Sequence, residues 1–556
     1  MHKPQQRILS INFNHDGAAV ILDRGKIAAY VNTERFSRNK KHPGIREEDL
    51  DEVLTQAQLQ LSEIDFVILV NYGMASPEIK DRFGTDLQDT VINSIILEGQ
   101  DRVSMRGRKL PCWTNPDHFL CHSAVAYYYS PFDSATCFAF DPLGSGVHVG
   151  RGNRLDPVSH RKSYVGELYS NISIRLLKVG GIFGAGKTMA LASYCDARTR
   201  KALEPLLQTV PASRFATPTE CYKLFLYVEN LISAHPQCYE GKWNIAAAYI
   251  AQRLLEIELV RVLDEILPHV PAEALRKQLC LSGGSALNTV ANELGFQGSQ
   301  FDDLYLHPAC GDDGTAIGAA LYYWHHVQGN PKLPHHNREA MFGVRRYDDC
   351  IIDALHRYKE RLVWTERDDY KFVAAQKLAS GQILAWFDGA SEIGPRALGH
   401  RSIVCAATET RNRQFLNDRV KKRESFRPFA PAVLEEHCQE LFDIDSSPFM
   451  LRAVRVKSEA VPAVTHVDGT ARVQTVRRED NENYYDLIAE FHRLTGVPVI
   501  LNTSFNINGE PVVETPEHAI ETFLASEIDC LVFPNFIIEK ANSIVGNSGQ
   551  APITKR

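Results

Sequence analysis

Two stretches of the chain follow the same pattern, and that repetition constrains the fold more than any other feature. Arg7 to Phe13 alternates as a strand, Asn14-His15-Asp16-Gly17 breaks it, and Ala18 to Leu22 resumes it. Asp23-Arg24-Gly25-Lys26 then turns the chain into a third strand, Ile27 to Val31. Near residue 136 the pattern recurs. Thr136 to Asp141 is a strand ending in an acid, Pro142-Leu143-Gly144-Ser145-Gly146 is a glycine loop, and Val147 to Gly150 returns as a strand. A strand–acid–glycine-loop–strand unit used twice predicts a duplicated α/β domain with a cleft between its halves. Facing loops of that kind can hold phosphates through backbone N–H groups. Between the repeats, apolar spacing predicts a helix over 47–61 and a buried strand over 65–70.

One duplicated domain does not exhaust a chain of 556 residues, because single cores stop growing near about 250–300 residues. From Trp324 to Tyr347 the sustained apolar period lapses, so the boundary is placed there. The expected division is 1–335, 348–540 and a polar tail over 541–556. With 61 basic and 68 acidic residues the net charge is −7, which provides no general basic face for nucleic acid or anionic membranes. No apolar run has transmembrane length and the first residues lack a signal-peptide core, so a soluble cytoplasmic protein is expected. The twelve cysteines form no Cys-x-x-Cys pair, which disfavours structural zinc and predicts reduced core thiols.

Within this frame a few clusters carry chemistry. His118 and His122 stand at i and i+4, on one face of a predicted helix, where both rings can reach one ion. Such a pair alone is weak. Asp141 at a strand end and Asp312 in Gly311-Asp312-Asp313-Gly314 add carboxylates, and two imidazoles with carboxylates suit iron(II), manganese or zinc. Gly283-Gly284, leading through Asn288 into a helix, reads either as a plain strand-to-helix turn or as a close approach to a phosphate. Gly181 to Thr188 matches the P-loop pattern, with Ile172 to Val179 available as its strand. A P-loop normally opens its domain, so that fold is disfavoured here, and Lys187 is kept as a phosphate contact.

The second unit is dense in cations among small residues. Gly394-Pro395-Arg396-Ala397-Leu398-Gly399-His400-Arg401-Ser402 is followed by a run with Lys421, Arg423 and Arg427, then by Asn502-Thr503-Ser504-Phe505-Asn506. A solvated basic surface is the ordinary reading of a charge run. Arg396 and Arg401 lie among Gly, Pro, Ala, Leu and Ile instead, as expected of cations that converge on a polyanion.

These motifs, in this order over nearly the whole chain, resemble the natural-product O-carbamoyltransferases, the group of the nodulation-factor, cephamycin and tobramycin enzymes. The resemblance implies an N-terminal domain of the actin/Hsp70/sugar-kinase superfamily, like the tRNA threonylcarbamoyl-transfer protein. It implies a C-terminal α/β domain like the enzyme that makes threonylcarbamoyl adenylate. It further implies that ATP (with Mg2+) and carbamoyl phosphate give carbamoyl adenylate in the C-terminal site, and that a hydroxyl of a small-molecule acceptor takes the carbamoyl group in the N-terminal site. Carried over residue by residue, the metal ligands are His118, His122, Asp141 and Asp312, with iron(II) as the ion. The phosphate and carbamoyl binders are Arg396, Arg401, Lys421, Arg423 and Arg427, completed by Arg472, Asn502, Ser504 and Asn506. His15 and Lys41 match positions at the transfer centre, His15 as the group that deprotonates or orients the hydroxyl.

Two departures from the family pattern stand out. Asp117 precedes His118 and Phe119 follows it, where relatives often have adjacent histidines. Gly186-Lys187-Thr188-Met189-Ala190-Leu191 replaces a Gly-Lys-x-Met-Gly-Leu run, so the P-loop match is a local coincidence. Two other readings compete: a tRNA threonylcarbamoyl-type transferase, disfavoured by the acidic chain, and a nucleotide-binding regulator without catalysis, disfavoured by the intact ligand set.

Overall fold

The computed structural model describes residues 6–72, 95–179, 184–234, 242–270, 277–334, 338–343 and 347–541. Its first sheet runs in the order Lys26–Asn32, Ala18–Asp23, Arg7–Asn12, Phe66–Val70, Arg108–Thr114, Arg102–Met105, Ile95–Leu97. Its second runs Arg154–Val158, Gly144–Arg151, Ser134–Asp141, Gln278–Ser282, Asp303–Leu306. Counted in chain order within its half, the second sheet reads third–second–first–fourth–fifth, and the first opens third–second–first–fourth with Arg108–Thr114 in the fifth place and the short strands Arg102–Met105 and Ile95–Leu97 added beyond it. In both, the first strand pairs antiparallel with the second and parallel with the fourth. That shared topology is the duplicated actin/sugar-kinase-like domain, and it follows from the hairpin signal that opens each repeat.

Each half sends a helix inward after the strand in the fifth place of its sheet, His118–Tyr129 from the first and Thr315–Tyr322 from the second. The two pack together between the sheets, and both are largely buried. Their contact depends on Gly318, where an added Cβ would lie 1.8 Å from the carbonyl oxygen of Cys121. Backbone meets backbone there, which places the histidine helix against the helix that follows Asp312.

The C-terminal domain is an eight-stranded mixed sheet, ordered Leu362–Glu366, Phe536–Lys540, Cys530–Phe533, Leu384–Phe387, Arg401–Ala406, Val499–Ser504, Ala430–Leu434, Gln474–Val476. Both faces are covered, so its strands read as nearly continuous apolar runs. Leu384, Trp386 and Val404 face the helices Tyr370–Ala379 and Glu482–Thr495. Ala385, Phe387 and Ile403 face the opposite core with Phe523 and Leu355.

Several expectations are corrected. The helix begun at Glu47 ends at Gln56, with Gln58 in a left-handed conformation and a short 3-10 turn at Leu61–Glu63. Pro142 to Gly146 is a tight hairpin turn rather than an extended glycine loop, because the strand Gly144–Arg151 starts inside it. Gly146 and Gly150 are small because a Cβ on either would meet Phe119 or Tyr127 of the histidine helix. Ile172–Leu176 is a π-helical turn rather than a strand, so the P-loop match lacks its strand; residues 181–183 of that match lie outside the described residues. The stretch expected to link the domains packs on the first one. Trp324 and His325 are buried, and Lys332 Nζ donates to the carbonyls of Ser130 and Phe132 at 3.0 and 2.6 Å. Beyond Ala541 the tail lies outside the described residues, as does residue 238 among the cysteines. The eleven described cysteines are all free, and all but Cys350 are buried. Among the described residues no helix is long and apolar enough to cross a membrane.

Candidate metal centre and basic cleft

Asp117 caps the helix His118–Tyr129 by accepting from Leu120 N–H at 2.8 Å. One turn of helix then brings His118 Nε2 and His122 Nε2 to 3.1 Å from each other. Asp312 Oδ1 is 3.4 Å from the His122 nitrogen and 3.7 Å from that of His118. With Asp141, one ligand atom from each of the four residues lies within 4.8 Å of every other. Both Nδ1 atoms are buried without a hydrogen-bond partner. A buried and a half-buried imidazole pointing ring nitrogens at one spot beside two carboxylates fit a divalent cation, and the N2O2 donor set suits iron, manganese or zinc.

Outer contacts orient the ligands. Gly284 N–H donates to Asp141 Oδ2 at 2.9 Å. Gly283 makes this approach feasible, since at φ +87° it lies where a Cβ would be 2.2 Å from the Phe140 carbonyl oxygen. Asn14 Nδ2 donates to Asp312 Oδ2 at 2.9 Å and Asn12 Nδ2 to the Asp312 carbonyl at 3.1 Å. His15 Nδ1 is 3.1 Å from Asp16 Oδ2, and its Nε2 is 3.7 Å from Asp312 Oδ2. Lys41 Nζ donates to Asp16 Oδ2. Burial alone would raise the Asp312 carboxyl, but His15, His118 and His122 outweigh it and hold it well below the usual range. Burial opposes a charged His15, yet Asp312 and Asp16 raise it to about 9.

In the C-terminal domain Arg396, Arg423, Arg427 and Arg472 converge. Burial, then repulsion from Arg427, pushes Arg423 down to about 9. Burial brings Arg396 to about 10, with Arg427 adding to the drop. Arg472 is depressed by burial and by the other three guanidiniums. Glu424, 3.9 Å from Arg427, is a carboxylate at the edge of this cluster. So much unbalanced positive charge is costly unless an anion joins it. Arg396 Nη2 donates to the Leu287 carbonyl at 3.0 Å, across the domain boundary, while its Nε is buried without a partner. An adjoining cavity is shared by the two domains, with Met189, Tyr194 and Thr289 on one side and Phe426, His466 and Arg472 on the other.

Lys421 is buried, its Nζ donating to the Ser504 carbonyl at 2.5 Å, the Asn506 carbonyl at 2.9 Å and Asn506 Oδ1 at 2.8 Å. Burial, then Arg423 and Arg427, lower its ammonium well below the ordinary lysine value. The expected group Lys421, Ser504 and Asn506 is thus one local network.

Other expected binders hold protein groups instead. Arg401, expected on phosphate, is fully buried and donates to the carbonyls of Glu514, Asp388, His400 and Gly389, with its guanidinium 3.6 Å from the Phe387 ring centre. With its donors committed to the backbone, it braces the motif rather than facing a ligand. Asn502 joins the Ala397 carbonyl to Gln474. Asn288 caps the helix Thr289–Gln297 and pairs in both directions with Gln252. Lys187 Nζ is 2.7 Å from Glu424 Oε1, so it meets the basic cleft from the first domain. Thr188, the other P-loop signature residue, is buried against Ser173.

Sequence reasoning missed Asn14, Arg35, Glu392 and Glu514. Asn14 flanks His15 and was a readable signal; Arg35 and Glu514 meet each other from opposite ends of the chain, and Glu392 acts within its own loop. Glu392 Oε1 accepts from the N–H groups of Leu398 and Arg401, which shapes the loop bearing Arg396.

The family profile Carbamoyltransferase N-terminus matches residues 7–85 and 78–321, and Carbamoyltransferase C-terminus matches residues 375–540. The nodulation protein NolNO of Sinorhizobium fredii is 33% identical over 95% of this chain and 79% of its own. NolO of Bradyrhizobium diazoefficiens is 34% identical over 76% and 79%. Nodulation protein U of Rhizobium tropici is 27% identical over 90% and 91%. Among solved structures, component A of the (R)-2-hydroxyglutaryl-CoA dehydratase of Acidaminococcus fermentans overlaps 58% of this chain and 99% of its own, at TM-score 0.35 and 13% identity. The fold assignment rests on the strand order of the two sheets.

Proposed function

The chain belongs to the carbamoyltransferase family and is an enzyme of that class, and from that premise we propose that it is an ATP-dependent O-carbamoyltransferase with two sites. In the C-terminal cleft, Arg396, Arg423, Arg427 and Arg472 bind the phosphates of ATP and carbamoyl phosphate. Water is consumed, phosphate and pyrophosphate leave, and carbamoyl adenylate forms. In the N-terminal site the acceptor hydroxyl oxygen bonds to the carbamoyl carbon, the bond from that carbon to the bridging phosphate oxygen breaks, and AMP departs. His15, braced by Asp16 and Lys41, orients the hydroxyl and, in its neutral form, accepts its proton. His118, His122, Asp141 and Asp312 would hold a divalent ion, iron(II) by the family resemblance, which would supply a Lewis acid for the negative charge of the transfer step.

The observation that carries this reading is the pairing of a four-residue metal donor set in one domain with a guanidinium cluster in the other, joined where Arg396 reaches Leu287. The test is to incubate the protein with ATP and radiolabelled carbamoyl phosphate. Release of pyrophosphate that depends on carbamoyl phosphate is expected, followed by label in a hydroxylated natural-product acceptor. Absence of pyrophosphate release would refute the activation step.

A further inference from the structure

A short piece of the N-terminal domain touches the loop that leads to Arg396 and the loop whose Asn506 holds Lys421. It is the helix Thr33–Ser37 and the residues after it up to Lys41. Arg35 is 5% exposed, an unusual place for a guanidinium unless its partners are fixed. Its Nη2 donates to the Gly394 carbonyl at 3.0 Å, and its Nη1 lies 3.6 Å from Glu514 Oε2. Gly394 stands two residues before Arg396 at φ +83°, and its Cα is pressed on the Pro308 carbonyl. The carbonyl from which the Arg396 loop departs is therefore held from the other domain.

Arg38 does the same for the second loop. Its Nη1 donates to the Val512 carbonyl at 2.8 Å and its Nη2 to the Pro511 carbonyl at 3.0 Å. The preceding Glu510 carbonyl accepts from Asn506 Nδ2 at 2.6 Å, and Asn506 Oδ1 accepts from Lys421 Nζ at 2.8 Å. Three residues beyond Arg38, Lys41 is bonded to Asp16 beside the metal centre.

We propose that the segment Thr33–Lys41 completes the phosphate-binding cleft of the C-terminal domain, with Arg35 and Arg38 as positioning residues that set the Arg396 and Lys421 loops. The inference rests on the function proposed above for what the cleft binds. A plain interface contact would affect folding alone. A positioning role alters anion affinity in a protein that remains folded and loaded with metal.

The test uses the full chain with Arg35→Met, Arg38→Met and Arg38→Lys, and inorganic pyrophosphate as the probe in calorimetric titration. Metal content and thermal melting are followed in parallel. Arg38→Met is expected to weaken pyrophosphate binding by about tenfold or more, as for loss of one well-formed charge-assisted contact, with melting temperature and metal content unchanged. Arg38→Lys, which keeps a cationic donor for the carbonyls, is expected to recover most of the affinity. Arg38 side chains are partly exposed, so this pair of variants decides the matter even where Arg35→Met fails to fold. Wild-type affinity in Arg38→Met overturns the proposal, as does a loss that merely tracks melting and metal loss. Wild-type protein that binds pyrophosphate but releases none from ATP and carbamoyl phosphate refutes the proposed function and leaves this inference standing. Wild-type protein that binds no pyrophosphate overturns both.

Discussion

Lys187 Nζ and Glu424 Oε1 lie 2.7 Å apart, an ion pair that crosses from the N-terminal domain to the lip of the basic cleft. Both side chains are partly exposed, at 23% and 39%. Exposed pairs of this kind contribute about 0–1 kcal/mol. A P-loop lysine would instead be indispensable to all ATP-dependent chemistry. Lys187→Ala is therefore expected to keep pyrophosphate release within about tenfold of wild type, with little change in melting. Complete loss of release would contradict this placement.

His122→Ala removes one of two ring nitrogens that face each other across 3.1 Å. The remaining set, one imidazole and two carboxylates, loses a nitrogen donor and the ring buried at the centre of the site, so the variant is expected to bind its metal more weakly and to lose carbamoyl transfer with it. Pyrophosphate release from the other domain should continue, and a transition-metal-selective chelator, with Mg2+ kept in excess, should reproduce the loss of metal and of transfer in the wild type. Elemental analysis showing full metal content in the variant would remove His122 from the ligand set.

Arg396→Ala removes a buried cation that contributes both to the guanidinium cluster and to the Leu287 carbonyl. A charge-assisted contact of about 1.5–3 kcal/mol corresponds to a loss of about 10- to 100-fold, at about 1.4 kcal/mol per tenfold. The expected result is a pyrophosphate-release rate lowered by that factor with metal content intact. Normal release in this variant, with transfer abolished, would reverse the assigned division of labour.

Gly318→Ala would place a methyl group 1.8 Å from the Cys121 carbonyl oxygen. The obstacle is backbone, so the two central helices must separate. Overpacking of this kind costs about 1–3 kcal/mol or more, and Cys121 adjoins His122. A lower melting temperature with reduced metal content is expected. An unchanged melt would mean that the helices are not held as closely as described.

The duplication was legible because its signal is local. Hairpin turns such as Asp23-Arg24-Gly25-Lys26 and alternating strands declare themselves within a few residues. The i, i+4 spacing of His118 and His122 is equally local, since helix geometry alone puts both rings on one face. The loop reading of Gly144 to Gly146 failed for the opposite reason. Glycine there answers to Phe119 on a helix that packs across the sheet, and a glycine needed for close packing looks the same in sequence as one needed for a turn. Arg401 shows the same limit. Its apolar neighbours signalled a held cation, but not that backbone carbonyls rather than phosphates hold it.

By itself the sequence determined two domains, the repeated strand order at the start of each half of the first, and a pool of histidines, carboxylates and arginines suited to metal and phosphate. Each follows from periodicity, turn chemistry or residue type, all of which act over short range. Only the tertiary structure decided that Asn14 steadies Asp312, that Arg35 and Arg38 reach the loops of Arg396 and Lys421, and that Arg401 is a brace. Those pairings join residues separated by as many as 474 positions. Whether two such groups meet depends on how whole sheets and helices pack, and no local pattern encodes that distance.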